Sequence, residues 1–291
     1  MKKLCRLFFA GVFLVVHVAG VLAPSQAYAR TSKRKRSVKS HHVENQGPYT
    51  VSAKAAFVME MDSGRKVYAK DVTRKILPAS TTKVLTAILV LEHLKLDDYV
   101  TISDRSSKVL PSKINVKVGD KYTVRDLLYA ALLNSANDAA VALSEAVAGT
   151  EEEFVKLMNK RAAEIGAHST LFANAHGLPA DDPQYSTAYD MALIFHEAMK
   201  KPFFQEAIQE RYHKIVSQEG QVTLLRSHNK CLFRGWKNDV YGKTGYTREA
   251  QACFVGYVTK DDKKYIVAVF RCSQRWDDIK YIVEHYVGVD L

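Results

Sequence analysis

Cysteine is scarce in this chain. There are four: Cys5 near the start, then Cys231, Cys253 and Cys272. Three thiols beyond the first residues make no disulfide framework, and an odd number leaves at least one unpaired within a monomer. Cys253 and Cys272 fall in segments that read as neighbouring strands, where a bridge and two buried free thiols are both open. Metal-ligand spacing is also missing. His196-Glu197 begins a His-Glu-x-x-His pattern, but position 200 is lysine, so a zinc reading fails there. The expectation is therefore no metal and no cofactor. Nor is there the stretch of about 20 apolar residues that a membrane-spanning helix needs. The apolar run from Leu7 to Ala23 is 17 residues long and includes His17. No internal repeat is present.

What the first residues do contain is ordered. Lys2, Lys3 and Arg6 precede the apolar run, and Ala27-Tyr28-Ala29 follows it. Basic, apolar and small residues in that order form a secretory signal, with cleavage expected after Ala29. The alternative is an uncleaved anchor. Cleavage removes three of the 42 basic residues and none of the 31 acidic ones, leaving a net charge of +8. Much of that excess lies in "RTSKRKRSVKSHH", residues 30–42, which has six Lys or Arg and no acid. Such a block cannot bury enough apolar surface to fold, so it reads as a solvated tail. It could also attract an anionic wall polymer or membrane surface. Export excludes nucleic acid as an expected partner. The expected organisation is thus a signal at 1–29, a basic tail at 30–48 and one folded domain at 49–291, acting in the periplasm or elsewhere outside the cytoplasm, free or membrane-associated.

Within 49–291 the hydrophobic period changes twice. "AAFVMEMDSGRKVYAKD" reads as two strands turning at Asp62-Ser63-Gly64. From Ser80 to about Lys200 the period is helical, in "TTKVLTAILVLEHL", "VRDLLYAALLN", "NDAAVALSEAVAG", "EEEFVKLMNKRAAEIG" and "TAYDMALIFHEAMK". After residue 210 strands return in "DVYGKTGY", "QACFVGYVT" and "KYIVAVFRC", and the amphipathic "DIKYIVEHYVG" closes the chain. Strands at both ends around a block of helices predict an α+β fold. Its antiparallel sheet would be assembled from the two termini, with an inserted, mainly helical lobe.

Ser-x-x-Lys occurs four times, at Ser32–Lys35, Ser63–Lys66, Ser80–Lys83 and Ser227–Lys230. The first copy lies in the basic tail, the second in a turn, and the last is read as leading straight into a strand. Only Ser80–Lys83 opens an apolar helix, which sets the two side chains one turn apart on one face. A serine hydroxyl needs an adjacent base to act as a nucleophile. Lysine can be that base only when neutral, which requires burial or a nearby cation. A depression of about three pKa units costs roughly 4 kcal/mol, which the fold must supply. Two further elements follow in order. Ser135-Ala136-Asn137 stands between two helices, and Lys243-Thr244-Gly245, the sole Lys-Thr-Gly, lies on a late strand before Tyr246. Glycine there lets a ligand backbone lie close to the strand edge. Singly, each residue has an ordinary structural reading: helix cap, loop former, strand-edge cation. The ordered set points to an active site.

This set resembles that of the penicillin-binding proteins and class A β-lactamases. With "ILPASTTKVLTA", "ANAHGLPADDPQYSTAYDMA" and "YGKTGYTREAQACFVG", the chain is similar over 49–291 to low-molecular-mass penicillin-binding proteins of the D-alanyl-D-alanine carboxypeptidase family. Gln251 departs from the pattern, because family members usually have glycine there. The similarity also ends at the last helix, without the C-terminal β-rich domain of many such enzymes. The resemblance implies a β-lactamase/DD-peptidase-like fold and a substrate, the peptidoglycan stem peptide. Ser80 would attack the carbonyl between the terminal D-alanines, with Lys83 taking its proton. Ser135 would relay a proton to the leaving amine, and Asn137 would bind the substrate amide. Lys243 and Thr244 would face the terminal carboxylate, Gly245 would admit the peptide, and the backbone N–H groups of Ser80 and Tyr246 would form the oxyanion hole. Arg275 is a further candidate for carboxylate recognition. β-Lactam antibiotics would be covalent inhibitors.

Three other functions compete. A class A β-lactamase needs a carboxylate for deacylation, commonly in Glu-x-x-x-Asn, and none occurs in the chain. A D,D-endopeptidase that cleaves peptidoglycan crosslinks begins with the same acyl-enzyme and stays open. A cell-wall or penicillin-binding protein without turnover is disfavoured, because every residue expected for chemistry is present.

Overall fold

The turn at Asp62-Ser63-Gly64 joins two antiparallel strands, Ala55–Glu60 (β1) and Lys66–Lys70 (β2). Gly64 sits at φ +67°, in the left-handed region that glycine enters without steric cost. The computed structural model describes residues 49–291, so the expected signal and basic tail lie outside the described residues.

From β2 the chain passes through a 3₁₀ turn, Ala79–Thr82, into the first helix, Lys83–His93 (α1). A small ribbon of Tyr99–Thr101 (β3) and Lys121–Thr123 (β4) brackets Asp104–Lys108 (α2). The helical lobe continues with Val124–Leu133 (α3), Asn137–Ala148 (α4), Glu151–Ile165 (α5), Ala188–Ala198 (α6) and Pro202–Gln209 (α7). Side chains of Thr123, Thr150 and Thr187 accept the N3 backbone N–H of α3, α5 and α6, satisfying donors that a helix start leaves unpaired. A hairpin of Tyr212–Val216 (β5) and Val222–Arg226 (β6) precedes a second 3₁₀ turn, Lys230–Phe233. Three long strands follow, Tyr241–Thr247 (β7), Gln251–Lys260 (β8) and Lys263–Cys272 (β9), and then Arg275–Ile282 (α8).

The main sheet has the order β2-β1-β9-β8-β7 and is antiparallel throughout. It is assembled from the two ends of the domain around an inserted helical lobe, as the sequence predicts. All six residues of β1 are buried because the sheet is covered on both faces. Phe57, Ile266, Ala268 and Phe270 pack into the helical lobe around Leu85, Ile88 and Phe195. Val58, Phe254, Val267 and Val269 point the other way, onto Ile279, Ile282 and Val283 of the closing helix and its π turn. This alternation follows from the period of two along a strand.

One choice left open by the sequence is decided, and one detail differs from its reading. Cys231, Cys253 and Cys272 are all free and buried, so no bridge links the adjacent strands. Ser227-His228-Asn229-Lys230 leaves β6 for the 3₁₀ turn rather than running straight into a strand. Asn229 holds that turn, accepting from Cys231 N and donating to the Val240 carbonyl. Within the main sheet β7 is an edge strand, and it packs against the 3₁₀ turn that bears Ser80.

Candidate active site

Ser80 stands within the 3₁₀ turn, not inside α1, which begins at Lys83. Thr81 fastens that turn to Pro78, its N–H and hydroxyl both donating to the Pro78 carbonyl at 3.2 and 2.6 Å. Ala79 adopts φ +47°, which turns its carbonyl toward Gly177. A side chain at Gly177 would begin 1.9 Å from that oxygen, so only glycine fits beneath the Ser80 turn. The Ser80 hydroxyl is left 3.2 Å from Lys83 Nζ. Lys83 is fully buried and donates to Asn137 Oδ1 at 2.7 Å and to the His176 carbonyl at 2.8 Å. Burial pushes the Lys83 amine well below the usual lysine range, and the Lys243 cation adds to this. A buried amine that readily gives up its charge, beside a serine hydroxyl, can take the serine proton.

The α3–α4 connection brings the second motif to the same place. Ser135 adopts φ 58°, a left-handed conformation that a side chain rarely accepts, and its hydroxyl lies 2.9 Å from Lys243 Nζ. Backbone strain of this kind costs about 1–3 kcal/mol and persists where the surroundings over-determine it. Here Ala136 N–H donates to the Ala130 carbonyl, and Asn137 N–H donates to Ser112 O at 2.7 Å. The Asn137 side chain spans the gap, holding Lys83 through Oδ1 and donating to Leu110 O through Nδ2. Asp138, also buried, accepts from the N–H groups of Ile114 and Ala139. It thereby fastens the 110–116 loop beside Ser135. Desolvation raises the Asp138 carboxyl, while its proximity favours the charged form of Lys83 and opposes the two larger effects there.

β7 supplies the third wall. An ideal Cβ at Gly245 would lie 3.0 Å from Ser80 N and 3.1 Å from Pro78 O. The strand edge therefore approaches the Ser80 turn as closely as a bare backbone allows. Lys243 is buried, 3.0 Å from the Thr244 carbonyl as well as beside Ser135, and burial with the Arg275 cation lowers its pKa to about 7. Tyr246 is 69% exposed at the rim. Arg275 reaches in from α8 and donates Nη1 to the Gly245 and Cys253 carbonyls at 2.9 and 2.7 Å. It is a half-buried brace for β7, not half of a surface pair with Asp277 or Asp278. Together Ser80, Ser135, Thr244, Gly245, Tyr246 and Arg275 line a cleft of about 230 Å³. Lys83, Asn137 and Lys243 lie beneath it, so the predicted residues converge at one site.

Several neighbours carried no sequence signal. Ser112 and His228 line the cleft, and His176 contributes its carbonyl to Lys83. Desolvation and the cations Lys83 and Arg105 lower the His176 imidazole to about 3, so it is neutral. Carbonyl contacts depend on backbone position, not side-chain type, which is why neither Ser112 nor His176 stood out as a site residue. His228 stood in the Ser227–Lys230 copy that reads as structural. No cluster of metal-ligating side chains occurs among the described residues.

A serine hydroxyl beside a buried amine, and a strand edge that can align a peptide, are the parts that serine acyl transfer needs, here on a DD-peptidase fold. The sequence profile of the D-alanyl-D-alanine carboxypeptidases matches residues 40–274, and the chain belongs to that family. It is 32% identical over 281 residues to the D-alanyl-D-alanine carboxypeptidase DacF of Bacillus subtilis, covering 94% of this chain and 67% of that protein. A crystal structure of a D-alanyl-D-alanine carboxypeptidase from Mycobacterium tuberculosis superimposes with a TM-score of 0.77 at 30% identity, covering 84% of this chain and 96% of the other. A Streptomyces DD-transpeptidase variant gives 0.76 at 28% identity, covering 83% of this chain and all of the other.

Proposed function

We propose that the protein is a serine carboxypeptidase that removes the terminal D-alanine from peptidoglycan stem peptides through an acyl-enzyme on Ser80. The observation that carries this reading is the Lys83 amine, buried and 3.2 Å from the Ser80 hydroxyl. As Ser80 Oγ attacks the carbonyl between the two D-alanines, its proton passes to Lys83. The oxyanion is held by the backbone N–H groups of Ser80 and Tyr246, which act on charge that develops only in the transition state. The carbon–nitrogen bond then breaks, and Ser135 delivers a proton to the departing amine. Water hydrolyses the Ser80 ester to close the cycle. Asn137 fixes Lys83 and offers its amide to the substrate. Lys243 and Thr244 receive the terminal carboxylate. Arg275 acts by holding the Gly245 carbonyl, and so the strand edge, in register.

Such an enzyme works outside the cytoplasm, which accords with a cleaved signal at 1–29, a basic tail at 30–48 that meets anionic wall or membrane, and a catalytic domain at 49–291. A β-lactam presents a strained amide to the same serine and forms an ester in place of the substrate's. The test is labelling with fluorescent penicillin beside Ser80→Ala, followed by release of D-alanine from a pentapeptide. A stable adduct on the wild type that is absent from the variant is the expected result. A wild type that takes no label would overturn the assignment.

A further inference from the structure

Alternate residues of β6 leave their backbone groups without a strand partner. Ser217 N–H donates to the Gln221 carbonyl at one end of the β5–β6 hairpin, and Ser227 N–H donates to the Arg211 carbonyl at the other. Between them Ile215 stands opposite Thr223 and His213 opposite Leu225, so the hydrogen-bonded pairs fall at the odd positions. The N–H and C=O groups of Val222, Leu224 and Arg226 therefore point away from β5, and no described strand pairs with that edge. The far edge of β5 meets other elements: Val216 N–H donates to Asp126 and, just beyond the strand, Gln218 N–H donates to the Lys121 carbonyl. Only the β6 side stays open. Val222 and Leu224 are 60% and 71% exposed there, an apolar edge of the kind that templates a further strand.

At its Arg226 end the edge runs into a cavity of about 580 Å³, within the roughly 300–1,000 Å³ typical of ligand sites. Arg226, Lys230, Arg234 and Phe233 line it, and none of its described lining residues is acidic. The Arg226 guanidinium lies 4.6 Å over the Phe233 ring, which supports its face and leaves its N–H edges available. Among the described residues neither Arg226 nor Lys230 has a carboxylate partner, and Arg234 has only the exposed Asp277 at 3.7 Å. A second copy of this strand would bring the same cations to the contact. A lipid surface would leave the free N–H and C=O groups without partners in hydrocarbon. An extended peptide with carboxylates answers both features.

We propose that β6 is a docking edge for an extended acidic peptide of a partner protein. The peptide adds a third strand to the hairpin and places a carboxylate among Arg226, Lys230 and Arg234. Main-chain bonds to Val222, Leu224 and Arg226 supply affinity. Apolar residues at alternate positions lie beside Val222 and Leu224, and the carboxylate fixes the register. His228 stands between this cavity and the Ser80 cleft, so the peptide is held beside the cleft and not in it. Docking thus tethers the enzyme to a partner without using Ser80.

The outward N–H of Leu224 makes the test specific. Leu224→Pro removes that donor without breaking the ladder to β5, a place where an edge strand accepts proline. The probe is a fluorescent peptide alternating threonine and valine and ending in two glutamates, titrated with the full chain and read by anisotropy. Leu224→Pro should bind it at least about tenfold more weakly than the wild type. Arg226→Gln and Arg234→Gln should each weaken binding by about fivefold, as should glutamine in place of both glutamates, and high salt should shrink these losses. Of two further probes, N-methylated at odd or at even amides, only one should bind, because a strand added to β6 offers it a single edge. Thermal unfolding reports that each variant is folded. Equal binding by the wild type and Leu224→Pro, or by both methylated probes, overturns the proposal. So does a wild type that ignores the peptide, whether it sediments instead as a dimer that Leu224→Pro dissolves or binds vesicles of anionic lipid.

Discussion

Lys243 faces two opposed demands. It must be buried to lie against Ser135 and to cap the floor of the cleft, and it must keep a charge to receive a carboxylate. Burial and the Arg275 cation bring its pKa to about 7, against 10.5 for an ordinary lysine. Between those values the unfolded chain holds a proton that the folded chain has lost, so stability rises with pH across that window. Below about pH 7 both states are protonated and the full cost of burying the cation is present. Lys243→Met should therefore raise stability at pH 6 by on the order of 2–4 kcal/mol, less than the pKa gap alone implies because the contacts with Ser135 Oγ and Thr244 O are lost. The gain should shrink toward pH 10. Thermal unfolding at pH 6 and 9.5 checks this, and a variant less stable than the wild type at pH 6 would sink it. Pentapeptide turnover should be lost in the same variant. The residue type and order of Lys243, Ser80, Lys83, Ser135 and Asn137 were legible because each needs a particular side chain. The carbonyls that hold Lys83 and Asn137, from His176 and Ser112, need only a backbone in the right place, so their side chains did not mark them as part of the site.

Elements were legible where burial enforces a period. α1, α3, α4 and α6 and the strands β1, β8 and β9 are packed on one or both faces, and their apolar spacing says so. The β5–β6 hairpin escaped detailed assignment because its outward face carries Val216, Val222 and Leu224 exposed, which blurs the alternation. Spacing sets Ser80 at the start of an apolar helix, and the structure holds it in the 3₁₀ turn before α1, a one-turn difference that spacing alone cannot resolve. Gln251, at the start of β8, shows a departure from the family pattern with a physical cost. It adopts φ 58° with its side chain exposed, where family members usually have glycine. A left-handed conformation is unfavourable for any residue with a Cβ, and the exposed side chain gains little in return. Gln251→Gly should stabilise the protein by about 0.5–1 kcal/mol, the relief of strain outweighing the greater freedom glycine gives the unfolded chain. Denaturant unfolding measures the midpoint shift. A destabilised variant would mean that Gln251 makes interactions that offset its backbone.

At the scale of the whole molecule, the two ends of the described domain meet on one short helix. Asp278 of α8 is buried and accepts four hydrogen bonds from the segment that leads into β1: Tyr49 Oη at 2.7 Å, Ser52 N at 2.6 Å, Ser52 Oγ at 2.7 Å and Ala53 N at 2.9 Å. One turn earlier, Arg275 crosses to the Gly245 and Cys253 carbonyls behind the active-site strand. The same helix thus fastens the first strand of the sheet and braces the last-placed strand, β7, against which the Ser80 turn is set. Removing the carboxylate would leave buried N–H groups without partners, which costs more than an average hydrogen bond returns. Asp278→Ala should lose about 3 kcal/mol or more in unfolding free energy, and Asp278→Asn, which keeps one acceptor oxygen, less. Because α8 carries Arg275, the looser helix should also slow acylation by penicillin in protein that is still folded. Thermal unfolding and the labelling rate, measured on the same samples below the melting range, separate the two effects. A melting shift without any change in labelling would show that Arg275 holds β7 independently of the tie at Asp278, and that the sheet closes at the active site without help from its far end.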